Sequence, residues 1–159
     1  MGNELNKFRR NTVRFNAEEI ALASKVIQIV KHPLEVVYYL LPKEQTNTLL
    51  LILISAEDTN LHTLLQEEKR DSDLLFEIDK EKKLYAMICQ DTQVLGGYKF
   101  GERLMRKVFL DGGKSIYFSE VEVNPEGYPL KQVLLNLVDI YIVSKQKKRK
   151  DEIIFLSLR

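Results

Sequence analysis

Residues 70–89 place two short apolar segments on either side of five consecutive charged residues, and this pattern constrains the fold more than any other feature of the chain. The apolar segments, residues 74–78 and 84–89, are rich in residue types that favour β-strands. The charged residues 79–83 cannot lie inside a packed strand, so the chain must reverse direction there. The sequence therefore predicts a β-hairpin, which opens on the Arg-Asp-Ser-Asp tetrapeptide at residues 70–73.

The other apolar patterns predict alternating helices and strands. Residues 49–54 are apolar without alternation, which is typical of a central strand covered on both faces. Residues 116–123 alternate between apolar and polar types, so one face of that strand is expected to be solvated. Residues 34–41 are compatible with a strand or a helix, and their β-branched and aromatic content favours a strand. Helices are expected to begin near residues 16, 58, 91 and 129, and a last strand is expected at residues 152–158.

The predicted order of elements from residue 49 onward is β-α-β-β-α-β-α-β. A hairpin between two crossover helices implies an α+β fold with a mixed, mostly antiparallel sheet and a ferredoxin-like βαββαβ core. Helices are expected mainly on one face of this sheet. The chain of 159 residues suffices for one ordinary domain. We therefore expect a domain at residues 46–159, preceded by an N-terminal helix and connecting segment at residues 1–45.

Residues 16–31 carry the signals of an amphipathic helix. Asn16 and Glu19 have the spacing of a capping box, and Pro33 marks the expected end of the helix. Apolar residues recur on one side of this segment and need a surface to cover them. The helix is therefore expected to lie outside the sheet core and to mediate self-association.

The composition argues against several classes of function. A formal net charge of +1 provides no general attraction for nucleic acids or anionic membranes. The single cysteine, Cys89, rules out an internal disulfide framework. The longest apolar run, residues 48–56, is too short to span a bilayer, and the N-terminus lacks the apolar centre of a secretory signal. We expect a cytoplasmic protein that neither binds nucleic acid nor inserts into a membrane.

The sequence contains none of the common catalytic or metal-binding motifs. The patterns C-x-x-C, H-E-x-x-H, the P-loop and G-x-G-x-x-G are all missing. His32 and His62 are far apart in the sequence, and Ser119 has no glycine-flanked turn around it. The basic run at residues 145–150 is more typical of a solvated helix end than of a nucleic-acid site. No catalytic residue, metal site or cofactor is expected.

Residues 70–83, RDSDLLFEIDKEKK, resemble the segment around the signature of GGDEF domains, the diguanylate cyclases of bacterial cyclic-di-GMP signalling. In that family an R-x-x-D lies five residues ahead of the Gly-Gly-Asp-Glu-Phe turn, and here five residues separate Asp73 from the turn at Asp79. Residues 100–104 (FGERL) and 116–119 (IYFS) are similar to later family segments in the same order. The resemblance covers about residues 49–155 and implies a nucleotide-cyclase-like βαββαβ core.

The departures from the family pattern concern catalysis. The family's catalytic turn is glycine-rich, whereas residues 79–83 contain no glycine. The family's metal-binding aspartate corresponds to about Leu53, which cannot ligate a metal. The segment between Ser55 and Arg70 has room for one helix where the family has two. The resemblance therefore implies a degenerate GGDEF domain that is not an enzyme.

The R-x-x-D is retained as Arg70 and Asp73. In the family this motif is the inhibitory site for cyclic-di-GMP, assisted by an arginine on the helix after the hairpin, and that arginine aligns with Arg103. A guanidinium can contact the O6 and N7 acceptors of guanine or stack on its face, and a carboxylate accepts hydrogen bonds from guanine N–H groups. The resemblance thus implies a cyclic-di-GMP receptor that relays the signal to a protein partner. Arg70, Asp73 and Arg103 are expected to form one exposed polar patch.

A structural alternative remains open. Arg70 could cap the C-terminus of the preceding helix while Asp73 only starts the strand. The protein would then be a structural or dimerisation module that binds no ligand.

Overall fold

The computed structural model describes residues 14–41, 48–113, 115–125 and 127–158, which form an α+β fold. This agrees with the predicted fold class, and the order of elements after residue 48 is the predicted one. The helices are α1 (Ala17–Leu40), α2 (Leu61–Glu68), α3 (Val94–Leu110) and α4 (Leu130–Gln146). The strands are β1 (Leu49–Ala56), β2 (Leu74–Asp79), β3 (Leu84–Gln90), β4 (Ile116–Val123) and β5 (Ile153–Leu158).

The apolar segment that was predicted as a central strand lies in the middle of a five-stranded mixed sheet. The strand order is β2-β3-β1-β4-β5, and all eight residues of β1 are buried. β1 runs antiparallel to both β3 and β4, while β4 and β5 are parallel. The first four strands therefore have the ferredoxin-like order, with β5 added beside β4.

The predicted hairpin is formed by β2 and β3. Its charged turn is closed by Asp79, whose Oδ1 accepts a hydrogen bond from the Lys82 N–H at 3.0 Å. Lys83 adopts a left-handed backbone conformation with φ 52° just before β3. The reversal at residues 79–83 thus follows from local side-chain and backbone chemistry, as the sequence indicated.

The helices are divided between the two faces of the sheet, whereas the sequence suggested that most would lie on one face. Alternate residues of a strand point to opposite faces, and both sets are apolar in β1. Leu49, Leu51 and Leu53 pack in the cluster that includes α1 and α4. Leu50, Ile52 and Ile54 pack in the cluster that includes α2 and α3. A sheet that is apolar on both sides needs two covering layers.

Helix α1 continues through Pro33, so the predicted helix end at this proline and the predicted strand at residues 34–41 are both wrong. Four buried residues form one stripe along α1: Val26, Val30, Leu34 and Val37. Burial of this continuous stripe outweighs the hydrogen bond that a proline cannot donate. The stripe packs in the same core as the strands, so the expectation that residues 16–31 lie outside the sheet core is wrong as well.

The predicted capping box of α1 is confirmed. The Glu19 N–H donates to Asn16 Oδ1 at 2.8 Å, and the Asn16 N–H donates to Glu19 Oε1 at 3.0 Å. The predicted domain boundary between residues 45 and 46 lies outside the described residues. In the described ranges, none of the helices combines the length and apolar composition needed to cross a membrane.

Strand β4 differs from its prediction because all eight of its residues are buried. The alternation that suggested a solvated face places Glu120 and Glu122 beneath α3 instead. Two glycines of α3 permit this close approach. A Cβ at Gly97 would overlap Glu120, and one at Gly101 would lie 2.8 Å from Ile153 Cδ1.

Candidate ligand-binding cleft

The three residues predicted to bind a ligand line one cavity of about 150 Å³ between α2 and α3, here called the α2–α3 cleft. Arg70 and Asp73 come from the turn between α2 and β2, and Arg103 comes from the middle of α3. Ile52 and Cys89 line the same cavity from the sheet. The fold thus brings together the three predicted residues, of which Arg70 and Arg103 are 33 residues apart in the sequence.

Arg70 and Asp73 form a two-pronged ion pair. Arg70 Nη2 lies 2.8 Å and Nε lies 3.2 Å from Asp73 Oδ1, and the Arg70 backbone N–H donates to Asp73 Oδ2 at 2.8 Å. The hydrogen bond to Asp73 raises the pKa of Arg70. The Asp73 side chain is 6% exposed and that of Arg70 is 53% exposed. The predicted exposed patch is therefore only partly correct, because the carboxylate is buried beneath its partner.

Arg70 also connects the turn before β2 to the start of α3. Its Nη2 donates to the Gln90 carbonyl oxygen at 2.9 Å and to Thr92 Oγ1 at 2.7 Å. The side-chain hydrogen bonds of Arg70 go to these groups and to Asp73, so it does not act as the cap of α2 considered above. Arg70 instead joins the base of the hairpin to the segment that leads into α3.

Arg103 is paired with Glu68, a contact that the sequence did not predict. Arg103 Nε lies 2.8 Å from Glu68 Oε1, and Lys107 Nζ lies 2.6 Å from Glu68 Oε2. Hydrogen bonds from Lys107 and Arg103 lower the pKa of Glu68. The Arg103 guanidinium also lies 5.3 Å from the centre of the Phe100 ring. Arg103 and Lys107 are four residues apart, so the sequence itself places them on one face of α3. The sequence does not indicate that their partner is Glu68 on α2.

The charges of the cleft are balanced within the protein. Two neighbouring arginines repel each other unless negative charge lies nearby. In the structure Asp73 compensates Arg70, and Glu68 compensates Arg103. A ligand must therefore compete with internal carboxylates for these guanidinium groups.

Two acidic residues of β4 lie under the first turns of α3, next to the cleft. Glu122 Oε1 accepts a hydrogen bond from the Val94 N–H at 2.8 Å and so caps the start of α3. Within the described residues, neither carboxyl oxygen of the fully buried Glu120 has a hydrogen-bond partner. Burial, and then the nearby Glu122, raise the pKa of Glu120 to about 8. The sequence reading missed both roles because it placed these residues on a solvated face.

The chemistry of the cleft suits binding by charge and hydrogen bonding. Among the described residues, no three His, Cys, Asp or Glu side chains come together in a way that could hold a metal ion. The thiol of Cys89 is buried, and this burial raises its pKa. A thiol in such a setting is a poor nucleophile. Leu53 packs in the core on the opposite face of the sheet.

The fold and the cleft define a class of protein: an α+β domain with a ferredoxin-like strand order and a small, internally charge-balanced cavity between two helices. No known protein-family model matches the sequence, and no curated protein matches it significantly.

Proposed function

We propose that the protein is a non-catalytic, GGDEF-like receptor that binds cyclic-di-GMP in the α2–α3 cleft and relays the signal to a partner protein. The observation that carries this proposal is the convergence of Arg70, Asp73 and Arg103 on one cavity. The resemblance that predicts these residues rests on sequence alone and is independent of their positions in space. Their convergence supports a shared role.

The donors and acceptors around the cleft suit a guanine dinucleotide. The exposed guanidinium of Arg70 offers contacts to O6 and N7 of guanine, and a phosphate is attracted by Arg103. A cavity of about 150 Å³ is smaller than the pockets that enclose whole drug-sized ligands. We therefore expect one part of the ligand to enter the cavity while the rest lies over its exposed rim.

The connections of Arg70 provide a physical route for a signal. A ligand that binds the Arg70 guanidinium competes with the hydrogen bonds that Arg70 donates to Gln90 and Thr92, which precede α3. Helix α3 also carries Arg103, so both ligand contacts act on the same helix. A shift of α3 relative to the sheet is the conformational change that this geometry favours.

Isothermal titration calorimetry with cyclic-di-GMP tests the proposal. We expect saturable binding by the wild-type protein and binding weakened about tenfold or more in Arg70→Ala and Arg103→Ala. Cyclic-di-AMP serves as a control ligand, because its adenine lacks the O6 acceptor that a guanidinium contacts in guanine. Absence of saturation at high micromolar cyclic-di-GMP would overturn the proposal.

A second candidate function is a dimerisation module, and a specific surface favours it. A largely apolar groove of about 670 Å³ runs between α1 and α4, and Ile20 and Leu135 are exposed along it. Glu19 and Lys131, which have opposite charges, also line this groove. In a two-fold dimer the same patch pairs with itself, so Glu19 of one copy can face Lys131 of the other. The proposed occupant is therefore a second copy of this chain.

A further inference from the structure

Glu68 holds two cations of α3 in the way that an anionic ligand would. Its two carboxylate oxygens contact different residues, Arg103 at 2.8 Å and Lys107 at 2.6 Å. The Glu68 side chain is 13% exposed and lines the cleft. A guanidinium and an ammonium that converge on one pair of oxygens present the donor set that binds phosphate groups.

The position of Glu68 within its own helix is electrostatically unfavourable. Glu68 is the last residue of α2, where the helix dipole presents its negative end. The last turn of α2 contains no basic residue that could offset this charge. The carboxylate is therefore stabilised by its ion pairs with α3 and destabilised by the dipole of α2. A ligand phosphate can replace it as the partner of the two cations.

The other ion pair of the cleft is built differently. Asp73 accepts hydrogen bonds from both the side chain and the backbone N–H of Arg70, and its side chain is less exposed than that of Glu68. These contacts lie within one four-residue turn and do not depend on the position of a second helix. A ligand will therefore displace Glu68 more readily than Asp73.

We propose that Arg103 and Lys107 form a phosphate-binding pair, and that Glu68 is an internal counter-ion that a ligand phosphate displaces. This inference rests on the proposed function, since it assigns the cyclic-di-GMP phosphate to one part of the same cleft. The contact of Arg103 with the Phe100 ring keeps its guanidinium at the cleft when Glu68 leaves. Lys107 thereby becomes a ligand contact. Glu68 lowers the affinity of the protein for cyclic-di-GMP, because the ligand must displace it.

Calorimetric titration of cyclic-di-GMP into wild type, Glu68→Gln and Glu67→Gln tests this inference. Glu68→Gln removes the competing charge and keeps the side-chain shape, so its affinity should rise about three- to tenfold. Glu67 is exposed and adjacent, so Glu67→Gln makes the same change in net charge away from the cation pair and should leave the affinity unchanged. If Glu68 had only a structural role, Glu68→Gln would lower the melting temperature of the protein without raising its affinity for cyclic-di-GMP.

A second pair of variants tests the cations without altering Glu68. Lys107→Gln should weaken binding about tenfold. Arg106→Gln, at an exposed neighbouring position that lines a different cavity, should change it little. This comparison decides the question if Glu68→Gln does not fold. Equal affinity of Lys107→Gln and wild type would then overturn the inference.

The outcomes separate the two proposals. Binding by wild type with equal or weaker binding by Glu68→Gln overturns the counter-ion role and leaves the proposed function standing. No binding by either protein overturns both proposals. Binding by Glu68→Gln alone overturns the proposed function, because the wild-type protein then has no saturable site, and supports the counter-ion role of Glu68.

Discussion

The carboxyl group of Glu120 occupies the space that a side chain at position 97 would need. A Cβ built on Gly97 would overlap Glu120 Oε1 and lie 2.9 Å from Glu120 Cδ. The first turn of α3 therefore sits directly on β4, and its start is fixed by the Glu122 cap at Val94. Since α3 carries Arg103, the packing of Gly97 on Glu120 sets the position of one side of the cleft.

Gly97→Ala should destabilise the protein by about 1–3 kcal/mol, because the added methyl group forces α3 away from β4. Chemical denaturation monitored by circular dichroism measures the free energy of unfolding. Gly96→Ala is the matched control in the same helix. Its Cβ would meet Thr92 Cγ2 at 3.3 Å, and the better helix propensity of alanine offsets that contact. Equal stabilities of the two variants would contradict the close packing of α3 on Glu120.

The stability of the protein should fall as pH rises from about 5 to 8, because of Glu120. The pKa of this carboxyl is raised from its ordinary value of 4.5 to about 8 in the folded state. Between these two values the folded chain keeps a proton that the unfolded chain has released. The free energy of unfolding then decreases with pH, by up to about 1.4 kcal/mol per unit for one group.

Glu120→Gln should remove this dependence, since a carboxamide has the same shape and does not ionise. Urea unfolding at a series of pH values between about 5 and 8 measures the slope. Glu81→Gln, in the exposed hairpin turn, is the control and should keep the wild-type slope. The acids with lowered pKa, Glu68 and Asp79, titrate below this window and do not contribute to it. A wild-type slope in Glu120→Gln would rule out this carboxyl as the source.

Local chemistry made the hairpin and the order of elements predictable. Five charged residues enforce the turn at residues 79–83, and the continuous apolar run of β1 implies cover on both faces. The same local reasoning gave the wrong helix end at Pro33. It considered the hydrogen bond that a proline cannot donate, but not the burial of the apolar stripe that includes Leu34 and Val37. Tertiary burial decides such cases, and a single sequence does not reveal which surface will be available.

The sequence predicted some residues of the cleft but not the contacts that depend on tertiary packing. Arg70 and Asp73 share one turn, so their proximity follows from sequence spacing, whereas Arg103 was expected near them only because of the resemblance. Glu68 contacts Arg103 across two helices, and no periodicity encodes that contact. Glu120 was assigned to solvent because alternation on a strand does not distinguish a solvated face from one that a glycine-containing helix covers.

Arg70→Ala should lower stability as well as ligand affinity. A substitution at an ordinary surface position usually changes stability by about 0.5 kcal/mol or less. The structure places the buried Asp73 carboxylate under Arg70, so removing the guanidinium should cost about 1–3 kcal/mol. Thermal and urea unfolding measure this loss. Lys80→Ala, at an exposed cation in the hairpin turn, is the control and should be neutral. Equal stability of both variants would mean that Asp73 does not depend on Arg70.

The purified protein should not make cyclic-di-GMP from GTP and magnesium. The resemblance aligns Leu53 with a metal-binding aspartate, and Leu53 is fully buried in the apolar core and offers no oxygen. The turn at residues 79–83 has no glycine that would let the backbone approach a triphosphate. Chromatography of the products after incubation with GTP, beside an active diguanylate cyclase, checks this expectation. Any turnover above the no-protein control would show that the chain is an enzyme.

If the α1–α4 groove holds a second copy of the chain, Ile20→Glu should weaken the dimer about tenfold or more, since it places a charge in the apolar groove. Ile20 is 61% exposed, so the folded monomer should tolerate the change. Val36→Glu is the matched control, because Val36 is an exposed residue of the same helix outside that groove. Sedimentation velocity over a range of concentrations measures the monomer–dimer equilibrium of each protein. A wild-type chain that stays monomeric at high micromolar concentration, or equal association by both variants, would exclude this groove as the dimer interface.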